Sequence, residues 1–141
     1  LKPSPEELTW LHLPARPESL AAFRAFALAR ARELGLPEAA RGRIDLVLEE
    51  VLLNIFHYAY EGRAGQVSLG CGMVPGQGFL VRLKDQGQPF DPLQHKTADI
   101  TLAIEEREIG GLGILLAREM SSAMAYHRRE DSNILDIFFR E

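Results

Sequence analysis

Two periods of apolar residues alternate along this chain and divide it into helical and extended stretches. Residues 8–13, LTWLHL, predict a short strand that ends at Pro14. Pro17 suits the first position of a helix, where its missing N–H costs nothing. Leu20, Phe23, Ala27 and Leu34 follow with helical spacing, and Gly35 fits the position just past the helix end. Arg24, Arg30 and Arg32 are most simply read as a solvated face. Pro37 opens a second helix that runs to about Tyr60 and stops at Gly62. Beyond it the period falls to two. Residues 66–73 and 78–84 predict strands, joined by the turn chemistry of VPGQ.

Residues 85–109 break the pattern, with Pro89, Pro92, many charges and one helical turn expected near Leu102–Glu106. A loop this long in a compact domain is often a functional lid. Residues 112–122 return to helical spacing, and residues 123–129 and 133–140 predict a last hairpin around EDSN. Strands paired as hairpins, with helices grouped between them, predict an α+β fold: a two-layer α/β sandwich with a mixed, mostly antiparallel sheet and helices on one face. The length of 141 residues fits one domain spanning 1–141, large enough to fold without a disulfide or structural metal.

The second helix carries the first candidate chemistry. Along RIDLVLEEVLLNIFHYAYE, Ile44, Leu48, Val51, Leu52, Ile55 and Ala59 form a broad apolar face. Glu50, Asn54, His57 and Glu61 fall on a narrow opposite stripe, flanked by Leu46 and Val47. Taken alone, a polar pair one turn apart is most simply a solvated surface. The functional alternative uses both groups: a carboxamide oxygen is a hard donor suited to Mg²⁺, and a carboxylate can take a proton from an attacking hydroxyl.

Two glycine-bearing segments follow. DQGQPFD at 85–91 comes directly after an alternating strand and is, by itself, a plain turn. GGLGI at 110–114 leads into a helix, where backbone N–H groups and the helix N-terminus favour an anion; by itself it is a flexible loop. It is neither a P-loop nor a dinucleotide-binding fingerprint.

Composition narrows the field. The chain is 46% hydrophobic and 26% charged with a net charge of -4, which argues against direct contact with nucleic acid or an anionic membrane. No apolar run reaches the length of a membrane helix, and LKPSPEELTW lacks a signal-peptide core. The single cysteine, Cys71, excludes an intrachain disulfide and fits a cytoplasmic setting.

The order and spacing of the three segments carry a resemblance. EEVLLN, DQGQPFD and REIGGLGI stand where the GHKL (Bergerat-fold) ATPase superfamily has its N box and its two glycine boxes. The chain most resembles the small bacterial anti-sigma-factor serine/threonine kinases, from about Leu8 to Arg140. The resemblance implies ATP and Mg²⁺ as cofactors. It places Glu50 at the catalytic base, Asn54 at the Mg²⁺ ligand and Asp85 at the acceptor for the adenine amino group. Gly87 matches the glycine that gives the base room, and Gly111 and Gly113 match the lid glycines at the phosphates. Asn133 resembles a position common in the small kinases and has no role assigned. Pro89 departs from the wider superfamily's glycine, and Tyr58 stands where the branch often has His, beside a pocket-edge or surface His57. Glu105, Glu106, Arg107 and Glu108 read as a solvated lid surface, with Arg107 as a phosphate contact the minor alternative.

The implied function is phosphoryl transfer from ATP to a small anti-sigma-factor antagonist protein, with a sigma factor as second partner; a homodimer is compatible. Two alternatives stand beside it. One is a nucleotide-dependent binding module with little phosphotransfer. The other is the catalytic fragment of a histidine kinase, disfavoured by the lack of a preceding helix bearing a phosphoacceptor His.

Overall fold

The computed structural model describes residues 8–93 and 111–140, without the side chain of Leu112. The chain runs β1 (Thr9–Pro14), a 3₁₀ turn at Pro17–Ser19, α1 (Leu20–Glu33), α2 (Glu38–Tyr58), β2 (Gln66–Val74), β3 (Gly78–Asp85), α3 (Gly111–Met120), β4 (Ala123–Arg129) and β5 (Ser132–Phe139). The fold is α+β. The five strands lie in the order β1-β2-β3-β5-β4, and every pairing among the described residues is antiparallel.

Local chemistry accounts for most boundaries. The expected helix after Pro17 begins as the 3₁₀ turn and becomes α-helical at Leu20. Its end is a Schellman motif: Gly35 sits at φ +84°, its N–H bonds Arg32 O at 3.0 Å, and Leu36 N–H bonds Ala31 O at 3.0 Å. Pro37 caps α2 from outside rather than opening it. The VPGQ turn is closed by Gln77 N–H to Val74 O at 3.0 Å, with Gly76 at φ +79°. The helical turn expected at Leu102–Glu106, residues 94–109 of the expected lid and, within them, Arg107 lie outside the described residues.

The core lies between the helices and one face of the sheet. Ile44, Leu48, Val51, Leu52, Ile55 and Ala59 of the helical face are all buried, against Val67, Leu69, Val81, Leu83, Leu135 and Ile137 from alternate strand positions. Arg24 joins α1 to α2 through a bidentate pair with Asp45, at 2.6 and 2.9 Å. Cys71 is buried in this core, and burial pushes its thiol up to about 12, so it acts as a packing residue rather than a nucleophile. A smaller apolar cluster of Leu8, Val74 and Leu80 lies apart from it, with Trp10 and Phe138 against it. Among the described residues no helix is long and apolar enough to cross a membrane.

Candidate functional site

The polar stripe of α2 is not uniformly solvated. Asn54 is only 2% exposed. Its Nδ2 donates to Glu50 O at 2.8 Å, one turn back on the same helix. Its Oδ1 is buried and, among the described residues, accepts no hydrogen bond. A buried carboxamide oxygen without a partner is costly and rare in a native fold, and it asks for a ligand. Glu50 is half-buried. Burial and then the neighbouring Glu49 charge push its carboxyl above the ordinary carboxylate range. The solvated-surface reading therefore fails for Asn54 and holds only in part for Glu50. It holds for His57, which is exposed and meets the edge of the Tyr58 ring with centroids 4.5 Å apart.

Helix α3 covers this stripe. A methyl group added at Gly113 would collide with the Glu50 carboxylate. Gly111 and Gly113, expected in a loop before the helix, instead fall in its first turn, since α3 begins at Gly111, and Gly110 lies outside the described residues. The consequence is a close approach: a helix start with no side chain at Gly113 lies directly on a carboxylate.

The DQGQPFD segment is a second, more tightly bonded structure at the end of β3. Asp85 is 5% exposed, and its Oδ1 accepts from Gly87 N–H at 2.9 Å and from Asn133 Nδ2 at 2.8 Å. Burial pushes the Asp85 carboxyl upward. The two hydrogen bonds and the positive charge of Arg128 pull the other way without cancelling it. Gly87 is required by packing: a Cβ there would strike the backbone of Ala59 at the end of α2, where Gln88 N–H bonds Ala59 O at 2.8 Å. That is a reason for glycine additional to the room for a base implied by the resemblance.

The remaining loop groups are bonded just as fully. Gln88 Nε2 donates to Tyr58 O at 2.9 Å, Arg128 to Gly87 O at 2.8 Å, and Tyr60 Oη accepts from Gln86 N–H at 2.8 Å. Tyr58 stacks on Phe90 with centroids 5.2 Å apart, so the tyrosine at this position serves as a platform for the loop. Leu93 N–H bonds the Asp91 carboxylate at 2.8 Å, closing an Asx turn at the segment's end.

The structure thus separates the sequence-derived residues into two groups. Glu50, Asn54 and Gly113 meet at the α2–α3 seam; Asp85 and Gly87 meet at the turn after β3. Gly111 belongs to the seam by its place at the start of α3. The residues sequence reading left without a role are Asn133, Tyr126 and Arg128. The signal for Asn133 was present: a carboxamide inside an otherwise alternating apolar strand, SNILDIFF, is a buried polar group that needs partners.

Comparison with known proteins identifies the fold and the family. A chain of the Acinetobacter baumannii histidine kinase AdeS shares the fold, with a TM-score of 0.50 over 96% of this chain and 70% of that one at 14% identity. The serine/threonine-protein kinase BtrW of Bordetella bronchiseptica is 28% identical over 102 residues, 70% of this chain and 71% of BtrW. Residues 13–139 match the histidine kinase-like ATPase domain. With that match spanning nearly the whole sequence, this chain belongs to the histidine kinase-like ATPase domain family and is an ATP-binding, kinase-like protein.

Proposed function

We propose that the chain is a serine/threonine protein kinase of the anti-sigma type. It would transfer the γ-phosphoryl group of Mg-ATP to a small antagonist protein and bind a sigma factor as its second partner. The observation that carries the proposal is the pair on α2: a half-buried carboxylate with a raised pKa, one turn from a buried carboxamide oxygen without a partner.

The residues present fit the cofactors. The Asn54 oxygen is a hard donor, and no cluster of three His, Cys, Asp or Glu side chains stands among the described residues. Such a site suits Mg²⁺, which keeps waters and substrate phosphates in its shell and takes few protein ligands. Bound Mg-ATP would supply the transferred group and offset its developing charge. Asn54 would hold the cation, Glu50 would accept the proton of the acceptor hydroxyl, and the first turn of α3 would face the phosphates with its N–H groups. Asp85 would accept a hydrogen bond from the adenine amino group through Oδ2, since both of its bonds among the described residues fall on Oδ1. Serine or threonine as acceptor is supported by the name of the BtrW relative, and the antagonist and sigma factor by the resemblance of the three motifs.

The test is to incubate the purified protein with labelled ATP, Mg²⁺ and its co-encoded small partner. Acid-stable label on a serine or threonine of that partner is the expected result. Acid-labile label on the chain's own histidine would favour a histidine kinase. Complex formation that needs nucleotide but transfers nothing would favour a binding module.

A further inference from the structure

We infer that Asn133 is a positioning residue for base selection: it holds Asp85 so that one carboxylate oxygen is anchored and the other is left to read an exocyclic amino group. The inference rests on the reading of Asp85 as the nucleotide-base acceptor.

Asn133 is 4% exposed and uses its whole amide within the site. Nδ2 donates to Asp85 Oδ1 and to Gln88 O, both at 2.8 Å. Oδ1 accepts from Phe90 N–H at 3.1 Å and from Tyr126 Oη at 2.5 Å. The amide orientation is fixed by chemistry. A carboxylate and a carbonyl oxygen only accept, so they must meet the NH₂ group. The Phe90 N–H only donates, so it must meet the oxygen. No other side chain of this size offers two donors and two acceptors in that arrangement. Aspartate would set one acceptor against two others, and threonine would supply a single donor.

The consequence falls on Asp85. Gly87 N–H and Asn133 Nδ2 both grip Oδ1, which fixes the plane of the carboxylate and leaves Oδ2 as its one unbonded acceptor among the described residues. A carboxylate can take a hydrogen bond from the 6-amino group of adenine but can only repel the 6-carbonyl of hypoxanthine. Selection between these bases depends on where Oδ2 points, and that depends on Asn133. The same amide also joins Gln88 and Phe90 to β4 and β5, so one residue aligns the acceptor with the loop that frames it.

The test is calorimetric titration of the full chain with ADP and with IDP, which differ at position 6 of the base. Wild type should prefer ADP. Asn133→Ala should lose ADP affinity ~10-fold or more while IDP changes less, so that the ADP/IDP ratio collapses. Tyr126→Phe removes only the hydroxyl that holds the Asn133 oxygen and should shift the ratio the same way by less; it decides the matter if Asn133→Ala does not fold. Parallel loss of ADP and IDP affinity with an unchanged ratio would show Asn133 to be merely structural and overturn the inference alone. Absence of any ADP preference in wild type would overturn the reading of Asp85, and the inference with it.

Discussion

The two halves of the site are built on opposite terms. At the turn after β3 nearly every polar group has a partner: Asn133 makes four hydrogen bonds, Asp85 accepts two, and Gln86, Gly87 and Gln88 are all tied down. At the α2–α3 seam, among the described residues, the Asn54 oxygen is buried without a partner, and the Glu50 carboxyl is raised by burial and the Glu49 charge with no hydrogen bond to offset it. A bonded frame holds one geometry before any ligand arrives, which lowers the ordering cost of binding. A seam that leaves a hard oxygen and a carboxylate unsatisfied among the described residues holds groups that, under the proposed function, a ligand would engage. Under the proposed function the first region would serve recognition and the second chemistry, and substitutions in the two should separate affinity from rate.

The largest effect is expected at the seam. Glu50→Gln keeps the size and polarity of the side chain but cannot take a proton as a carboxylate does. Phosphotransfer to the cognate partner should fall by ~10²–10⁴-fold while Mg-ATP affinity stays near wild type. Single-turnover rates at saturating Mg-ATP check this. A wild-type rate would remove the base role from Glu50 and turn preference toward the binding module.

Asp85→Asn should give the reverse signature. The amide can keep both bonds at Oδ1 but presents NH₂ to the base in place of Oδ2, and affinity should drop by about 1.5–3 kcal/mol. Stability should move the other way. Burial holds the Asp85 carboxyl above its ordinary value. A carboxyl raised in this way favours the folded state while it is protonated, and that contribution is lost as pH rises from the unfolded carboxylate value through the raised folded one. Asparagine has no proton to lose. The nucleotide-free mutant should therefore gain on wild type across that window. Urea melts at a series of pH values measure it. A mutant that weakens with pH as wild type does would mean that Asp85 is not the source of the loss.

The same contrast explains what could be read from the sequence. The helices and hairpins were legible because their periods are long and their ends are marked by Pro17, Gly35, Pro37 and Gly62. The burial of Ile44, Leu48, Val51, Leu52, Ile55 and Ala59 followed from spacing alone. The motif residues were legible as types in order. What was not legible is pairing across distance. Asn133 reaches Asp85 across 48 positions of sequence because β3 and β5 are neighbours with these two residues in register. Arg128 reaches Gly87 across 41 positions for a related reason, from the adjoining β4. Nor could helical spacing show that α3 begins at Gly111 and lies on Glu50. That approach depends on an absent side chain, which leaves no periodic trace.

Asn54→Ala addresses the orphaned oxygen. The alanine removes one donor bond to Glu50 O, which keeps its place in the helix, and also removes the buried acceptor without a partner. The fold should tolerate it, with a change within about 1 kcal/mol because the two contributions oppose each other. Nucleotide affinity should lose its dependence on Mg²⁺. Titrations with and without Mg²⁺ that differ as widely in the mutant as in wild type would show that Asn54 is not the ligand.

The smallest change is at Gly113, and it sharpens the comparison most finely because it touches the seam without removing a functional group. Gly113 lies in the first turn of α3, where alanine is at least as good a helix former as glycine. The added methyl would meet the Glu50 carboxylate, the far end of a flexible side chain that can swing aside without moving backbone. Gly113→Ala should thus leave stability within about 1 kcal/mol of wild type. The ADP/IDP ratio, set at the other region, should not move. The transfer rate should fall, by less than in Glu50→Gln, because the carboxylate is displaced rather than lost. Transfer at the wild-type rate would mean that the proton can be taken from more than one position of Glu50. A changed ADP/IDP ratio would mean that the two regions are coupled and that their division into recognition and chemistry is wrong.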